Sequence, residues 1–232
     1  MTLDIETSIS SNEDGQHSIR GHRIVDLIKQ HSLTDTLFLL WREDLPTQNE
    51  KMLLEAMMIA TVEHGIEAPS IFVPRVVTST GNAMNVALAA SALTVGEKHG
   101  GAIEAAARMI ANDKSAEEIV AERLEQKQII PGLGHKVYKE EDPRATALYS
   151  KAQALGFSCL FFEKAYKIEE QFREKKGKKL PLNVDGAMAA GMLEVKLDPA
   201  YGKALFVISR MVGAAAHVVE ELKETKSYRR LN

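Results

Sequence analysis

The sequence predicts an all-α protein. Apolar residues recur three and four apart through most of its 232 residues, capping signatures punctuate those runs, and strand patterns are nearly absent. Taken in order, Ile19 to His31 and Leu33 to Trp41 are the first two helices. Thr47 and Glu50 form a capping box after Pro46. Leu53, Leu54, Met57, Met58 and Val62 then follow at helical spacing until Gly65, so this helix delivers His64 at its C-terminal end. Ile71 to Val77 is the one β-leaning run, and Pro74 inside it argues against a central strand. Helices continue over Asn82 to Val95 and Gly101 to Ala111. Ser115 and Glu118 repeat the capping box ahead of Ile119, Val120 and Leu124. Asp142 and Pro143 read as N-cap and first residue of a helix that Gly156 stops. Cys159 to Lys175, Asp185 to Leu193 and Gly202 to Leu222 complete the set, with Asp198 and Pro199 repeating the Asp-Pro signature before the last.

Composition narrows the function classes. The 29 Lys and Arg against 32 Asp and Glu give a net charge of -3, and with 45% apolar residues the chain can bury a core without disulfides or metals. A single cysteine, Cys159, allows no internal disulfide and no cysteine-based zinc site, so a reducing compartment, the cytoplasm, is expected. Met1 to Asn12, with acids at Asp4 and Glu6, has neither signal-peptide nor transit-peptide character. The longest apolar tract, Ala204 to Val219, is interrupted by Arg210 and His217 and falls short of the roughly 20 residues of a membrane span. A buried helix is expected there, with no membrane as partner. The net charge supplies no basic field for a phosphate backbone, and nucleic acid is not an expected partner.

Few polar residues sit where chemistry would need them. Arg210 lies among apolar neighbours, where a guanidinium keeps its charge and needs an anion; a protein carboxylate and a ligand carboxylate or phosphate serve equally. Asp185 opens an Ala-, Gly- and Met-rich helix, where an N-cap is the simpler reading and a base facing a cleft the other. Pro131-Gly-Leu-Gly-His-Lys-Val-Tyr138, followed by Asp142-Pro-Arg144, is the most unusual run. Its glycines free the backbone to approach a ligand, and His135 and Arg144 stand just beyond. It has neither P-loop nor dinucleotide spacing, and alone it reads as a tight turn. His99, before Gly100 and Gly101 at a helix start, is either a linker histidine or a neutral donor with its pKa lowered by the helix N-terminus. His64, His99 and His135 lack a short metal-ligand pair, so no metal is expected. His17, His22, His31 and His217 read as surface or satisfied residues. The charged run from Glu169 to Lys179 reads as a solvated helix end rather than a phosphate dock.

In order along the chain these runs resemble the citrate synthase family. Ile19 to Leu27 and Leu37 to Pro46 look like its early helical segment. Glu63-His64, Arg75 to Thr80, His99 to Ala102, Gly132 to Tyr138 with Asp142-Pro-Arg144, Asn183 to Asp185 and Ser209-Arg210 look like its active-site motifs. The resemblance implies an all-α, citrate-synthase-like fold. Residues 1–98 and 195–232 would form the core of a large domain and 99–194 a small CoA-binding domain. It implies a homodimer or higher homo-oligomer that joins or separates acetyl-CoA and oxaloacetate through citryl-CoA, with the CoA thioester as substrate and no cofactor. A separate citryl-CoA synthetase is a further candidate partner. Carried over position by position, Asp185 moves the methyl proton, His99 holds the enolate oxygen and His135 polarises the oxaloacetate carbonyl. His64, Arg144 and Arg210 bind that substrate. Arg230, or its neighbour Arg229, resembles an arginine that reaches the partner subunit's site. Pro131, Gly132, Leu133, Gly134, Lys136 and Asn183 would meet CoA. The single helix between Pro46 and His64 makes this a minimal form, closer to citryl-CoA lyase and the citryl-CoA lyase module of ATP citrate lyase. The animal module has Phe at the place of His99, which leaves synthase and lyase both open. The alternatives are a 2-methylcitrate synthase using propionyl-CoA and a non-catalytic CoA-binding helical protein.

Overall fold

A computed structural model describes residues 6–224 and 228–230; Asp4 lies outside them. Eleven α-helices carry the fold among these residues, the ten that periodicity and caps predict and one over the β-leaning run. The N-terminal part departs from expectation. Ser10–Glu13 (β1), Gln16–Ile19 (β2) and His22–Arg23 (β3) form a small antiparallel sheet. Glu13 pairs with Gln16 and Ile19 with His22, so each connection is two residues long. All four linking residues, Asp14, Gly15, Arg20 and Gly21, have positive φ, as tight hairpin turns of right-handed twist require. The first helix, α1, therefore starts at Ile24 and ends at Gln30, not at Ile19.

The next elements follow their caps. Ser32 and Asp35 close a capping box on α2 (Leu33–Arg42), and Thr47 and Glu50 close the expected one on α3 (Gln48–Val62). Each box satisfies two otherwise unpaired N–H groups and stabilises its helix by about 1 kcal/mol. The β-leaning run is helical, within α4 (Pro69–Ser79), because Ile71, Pro74, Arg75 and Thr78 bury one face of it. Packing overrides the β preference of its valines. Pro74 cannot donate to the carbonyl of Ser70 one turn back, and that carbonyl accepts the Ser91 hydroxyl of α5 (Met84–Leu93) at 2.6 Å instead. The proline thus ties α4 to α5.

Beyond these come α6 (Ala102–Ala111), α7 (Ala116–Glu125), α8 (Pro143–Ala154), α9 (Leu160–Lys176), α10 (Val184–Glu194) and α11 (Gly202–Leu222). A 3-10 turn at Pro199–Tyr201 leads into α11. The main core holds Phe38, Leu53, Leu54, Met57, Ile103, Phe162, Ile168 and Met188 around α10, most of whose residues are buried. Each such side chain stabilises the fold by roughly 1.5–3 kcal/mol through burial. The segment Pro199–Leu222 is longer than the apolar tract read from sequence; by length and composition its 24 residues suffice to cross a membrane. In the structure it packs against α3, α4, α5 and α6.

Candidate active site

Six elements converge on one cleft of about 510 Å³. His64 follows the end of α3; Ser70 is on α4; His99 stands in the loop before α6; His135 lies in the loop before α8. Arg144 and Asp185 are each the second residue of a helix, α8 and α10, and Arg210 projects from α11. The positive ends of α8 and α10 therefore both face a site that suits an anion.

The N-cap of α10 is Asn183, whose side chain accepts from the Gly186 N–H, so Asp185 is free of that duty. Burial pushes its carboxyl up to about 6; the Arg144 charge pulls the other way and Asp142 adds to the rise. Asp142 is fully buried. It caps α8 through the Arg144 N–H, accepts from Val184 N at 3.0 Å and binds the Arg144 guanidinium through both oxygens at 2.9 and 2.8 Å. Burial would raise its pKa, but the Arg144 hydrogen bonds and charge hold it below the ordinary value.

All three cleft histidines are held below their ordinary pKa. Desolvation is the largest cause in each, followed by Arg144 for His64 and His135 and by Arg210 for His99. For His99, burial does the work that the sequence reading assigned to a helix terminus. Its neutral tautomer follows from its partners. The Ser70 hydroxyl accepts from Arg210 Nη1 at 2.9 Å and lies 2.8 Å from His99 Nε2. The buried hydroxyl needs an acceptor for its one proton, and Nε2 is the acceptor it meets among the described residues, which leaves the Nδ1–H of His99 as donor. In His135, Nδ1 accepts from the N–H groups of Val137 and Tyr138, both at 3.1 Å. Its proton is then on Nε2, 3.2 Å from Arg144 Nη2. Two donors at that separation aim at a common acceptor, an oxygen of a ligand. His64 Nδ1 lies 3.3 Å from Arg144 Nη1. The cationic guanidinium between His64 and His135 opposes a metal there.

Among the described residues no carboxylate pairs with Arg210. Nε donates to the Thr61 carbonyl at 2.8 Å, Nη1 donates to Ser70, and the guanidinium lies 4.9 Å from the centre of the Phe206 ring. It is 2% exposed and lines the cleft with its charge unmatched by an ion pair. Glycines bring the loops this close. A Cβ on Gly100 would strike the Phe206 ring, and one on Gly132, at φ +86°, would lie 2.7 Å from Gly186 Cα. The freedom of Gly132 thus serves contact with α10 rather than with a ligand.

Gly134, Lys136 and Asn183 line the cleft, whereas Pro131, Gly132 and Leu133 stand behind it. Gly132 and Gly134 are joined to Pro181 and Asn183 by backbone hydrogen bonds. Arg229 is paired with Glu221 and Glu224 of its own chain, and Arg230 stacks on Tyr228 away from this cleft. Sequence reasoning missed Ser70, and read Asp142 as a cap within a motif without giving it a role at the site. A buried serine six residues after His64 has no local signature; the Asp-x-Arg spacing of Asp142 and Arg144 does suggest a pair.

The sequence model of the citrate synthase C-terminal domain matches residues 48–231. The chain belongs to the citrate synthase family. Citrate synthase of Haloferax volcanii is 31% identical over 180 residues, which are 74% of this chain and 47% of that protein. The structure of citryl-CoA lyase from Hydrogenobacter thermophilus superimposes with a TM-score of 0.93 at 40% identity, covering 99% of this chain and 92% of that one. ATP citrate lyase from Methanothrix soehngenii shares the fold, with a TM-score of 0.88 at 24% identity, over 99% of this chain and 41% of that one. The chain spans about half the length of the curated citrate synthases it matches.

Proposed function

We propose that this citrate synthase family member makes or breaks the bond between the methyl carbon of acetyl-CoA and the carbonyl carbon of oxaloacetate, by way of citryl-CoA, and that cleavage is its main direction. The observation that carries the reading is one cleft in which a carboxyl with pKa raised to about 6 faces two neutral histidines, each with its outward N–H set by a partner behind it. In condensation Asp185 takes a methyl proton while the Nδ1–H of His99 holds the developing enolate oxygen. A carboxylate is too weak a base to deprotonate a thioester unless that oxygen is stabilised as its charge forms. The enolate carbon attacks the oxaloacetate carbonyl, whose oxygen gains negative charge held by the Nε2–H of His135 and by Arg144 Nη2 until solvent protonates it.

Cleavage reverses each step. The hydroxyl gives up its proton to solvent while the Nε2–H of His135 and Arg144 hold the oxygen, the carbon–carbon bond breaks, its electron pair passes to the thioester oxygen held by His99, and Asp185 protonates the carbon. His64 and Arg210 hold substrate carboxylates; Gly134, Lys136 and Asn183 meet the CoA side. The likeness to citryl-CoA lyase, at 40% identity and a TM-score of 0.93, supports the cleavage direction.

The reading includes a homodimer in the cytoplasm. Its interface would be the apolar face of α5 and α11, where Val86, Leu93, Val212 and Leu222 are exposed, and Arg230 would reach the partner's cleft. The deciding experiment follows four products from synthetic citryl-CoA and purified protein. Acetyl-CoA plus oxaloacetate is the expected result. Citrate plus free CoA would make the protein a synthase that hydrolyses the thioester, and no products from a folded dimer would reject the reading.

A further inference from the structure

An ionic cluster behind the cleft takes no part in this chemistry. Arg75 of α4 and Glu221 of α11, each 6% exposed, pair at 2.8 Å, and Arg75 also binds Glu220. Arg75 Nη1 lies 3.2 Å from His217 Nδ1, and His217 Nε2 lies 3.1 Å from Glu63 Oε1. A guanidinium only donates and an ionised carboxylate only accepts, so His217 accepts at Nδ1 and donates from Nε2. The Glu63 carboxylate in turn accepts the Gly65 N–H at 2.8 Å, next to His64. The hydrogen bonds thus converge on the Glu63 carboxylate, from Arg75 through His217 on one side and from the backbone beside His64 on the other. Gly213, where a Cβ would strike the Val62 carbonyl, lets α11 approach this turn closely enough.

We infer that Glu63, His217 and Arg75 are positioning residues that set the turn after α3 and so hold the His64 imidazole against Arg144 in the cleft. The inference rests on the proposed function for treating His64 as substrate-facing; the orientation of His64 is independent of it.

The test compares the full chain with Glu63→Ala, His217→Ala and Glu63→Gln, reading the ring ¹⁵N signals of His64 by NMR and the affinities for oxaloacetate and for CoA. Both alanine variants should shift the His64 signals and weaken oxaloacetate binding about tenfold, with CoA affinity unchanged. Glu63→Gln, which keeps an acceptor for His217 and Gly65, should restore most of that binding. Unaltered His64 signals, with only thermal stability reduced, would overturn the inference. If the alanine variants do not fold, Glu63→Asp keeps the charge and shortens its reach. It must shift the same signals, and the absence of a shift would overturn the inference equally. A wild-type protein that binds no oxaloacetate refutes the proposed function, while the His64 signals still decide the positioning.

Discussion

Asp185 stands at the positive end of α10 and within the field of Arg144, both of which favour its ionised form, yet its carboxyl is pushed up to about 6. Burial outweighs them. Because the folded pKa exceeds the ordinary 3.8, folding takes up a proton between about pH 4 and 6, and stability falls as pH rises through that window. Asp185→Asn should therefore raise unfolding free energy by up to about 3 kcal/mol at pH 7 and by little at pH 4, as denaturant melts at both pH values will show. The same variant should abolish turnover. Cleavage needs the protonated carboxyl, so its kcat should fall above about pH 6, while condensation rises over the same range. A profile with no titration near 6 would remove Asp185 from proton transfer. Ser70→Ala takes away both the proton donated to His99 Nε2 and the acceptor for Arg210. Its kcat should fall on the order of 10–100-fold with CoA affinity retained, in steady-state assays paired with calorimetry.

Elements meet at the site through single buried groups. Asp142 joins the N-termini of α8 and α10 and neutralises Arg144, so Asp142→Ala would leave a partly buried guanidinium and the backbone N–H groups of Arg144 and Val184 unpaired. A loss of about 3–5 kcal/mol is expected on urea unfolding; under about 1 kcal/mol would mean that Arg144 finds another anion. At this scale the sequence was legible where structure is local. The capping boxes at Thr47 and Ser115 and the Asp142-Pro143 start stand where they were read. The Asp14-Gly15 hairpin was legible too, since Asp-Gly is a strong turn signal, but the helical period after Ile19 drew residues 19–23 into α1. The helix over Ile71 to Val77 was not, because it is the burial of Ile71, Pro74 and Arg75 in the packing of α4 on α5 and α11 that favours it.

The whole molecule leaves an apolar face uncovered. In α5 only Ala87 and Ser91 are buried among ten residues, and Leu93 is 87% exposed. A second copy placed there would bury it, and Leu93→Asp with Val212→Asp should convert a dimer to monomer in sedimentation. If Arg230 serves the partner's cleft, mixing an Arg230→Ala chain with an Asp185→Asn chain should restore activity in the heterodimers. No recovery after confirmed subunit exchange would place that arginine elsewhere.

Ten of the eleven helices, the burial of Arg210 and the order of the motif residues are written in the sequence. Each depends on interactions within a few residues or on composition. The tertiary structure decided which nitrogen of each histidine carries its proton, that Arg144 is held by Asp142, and that Asn183 rather than Asp185 caps α10. It alone joined Ser70 to His99, 29 residues away, and to Arg210, 140 residues away. Such partners are chosen by how helices pack, and no spacing along the chain encodes which buried donor will meet which acceptor.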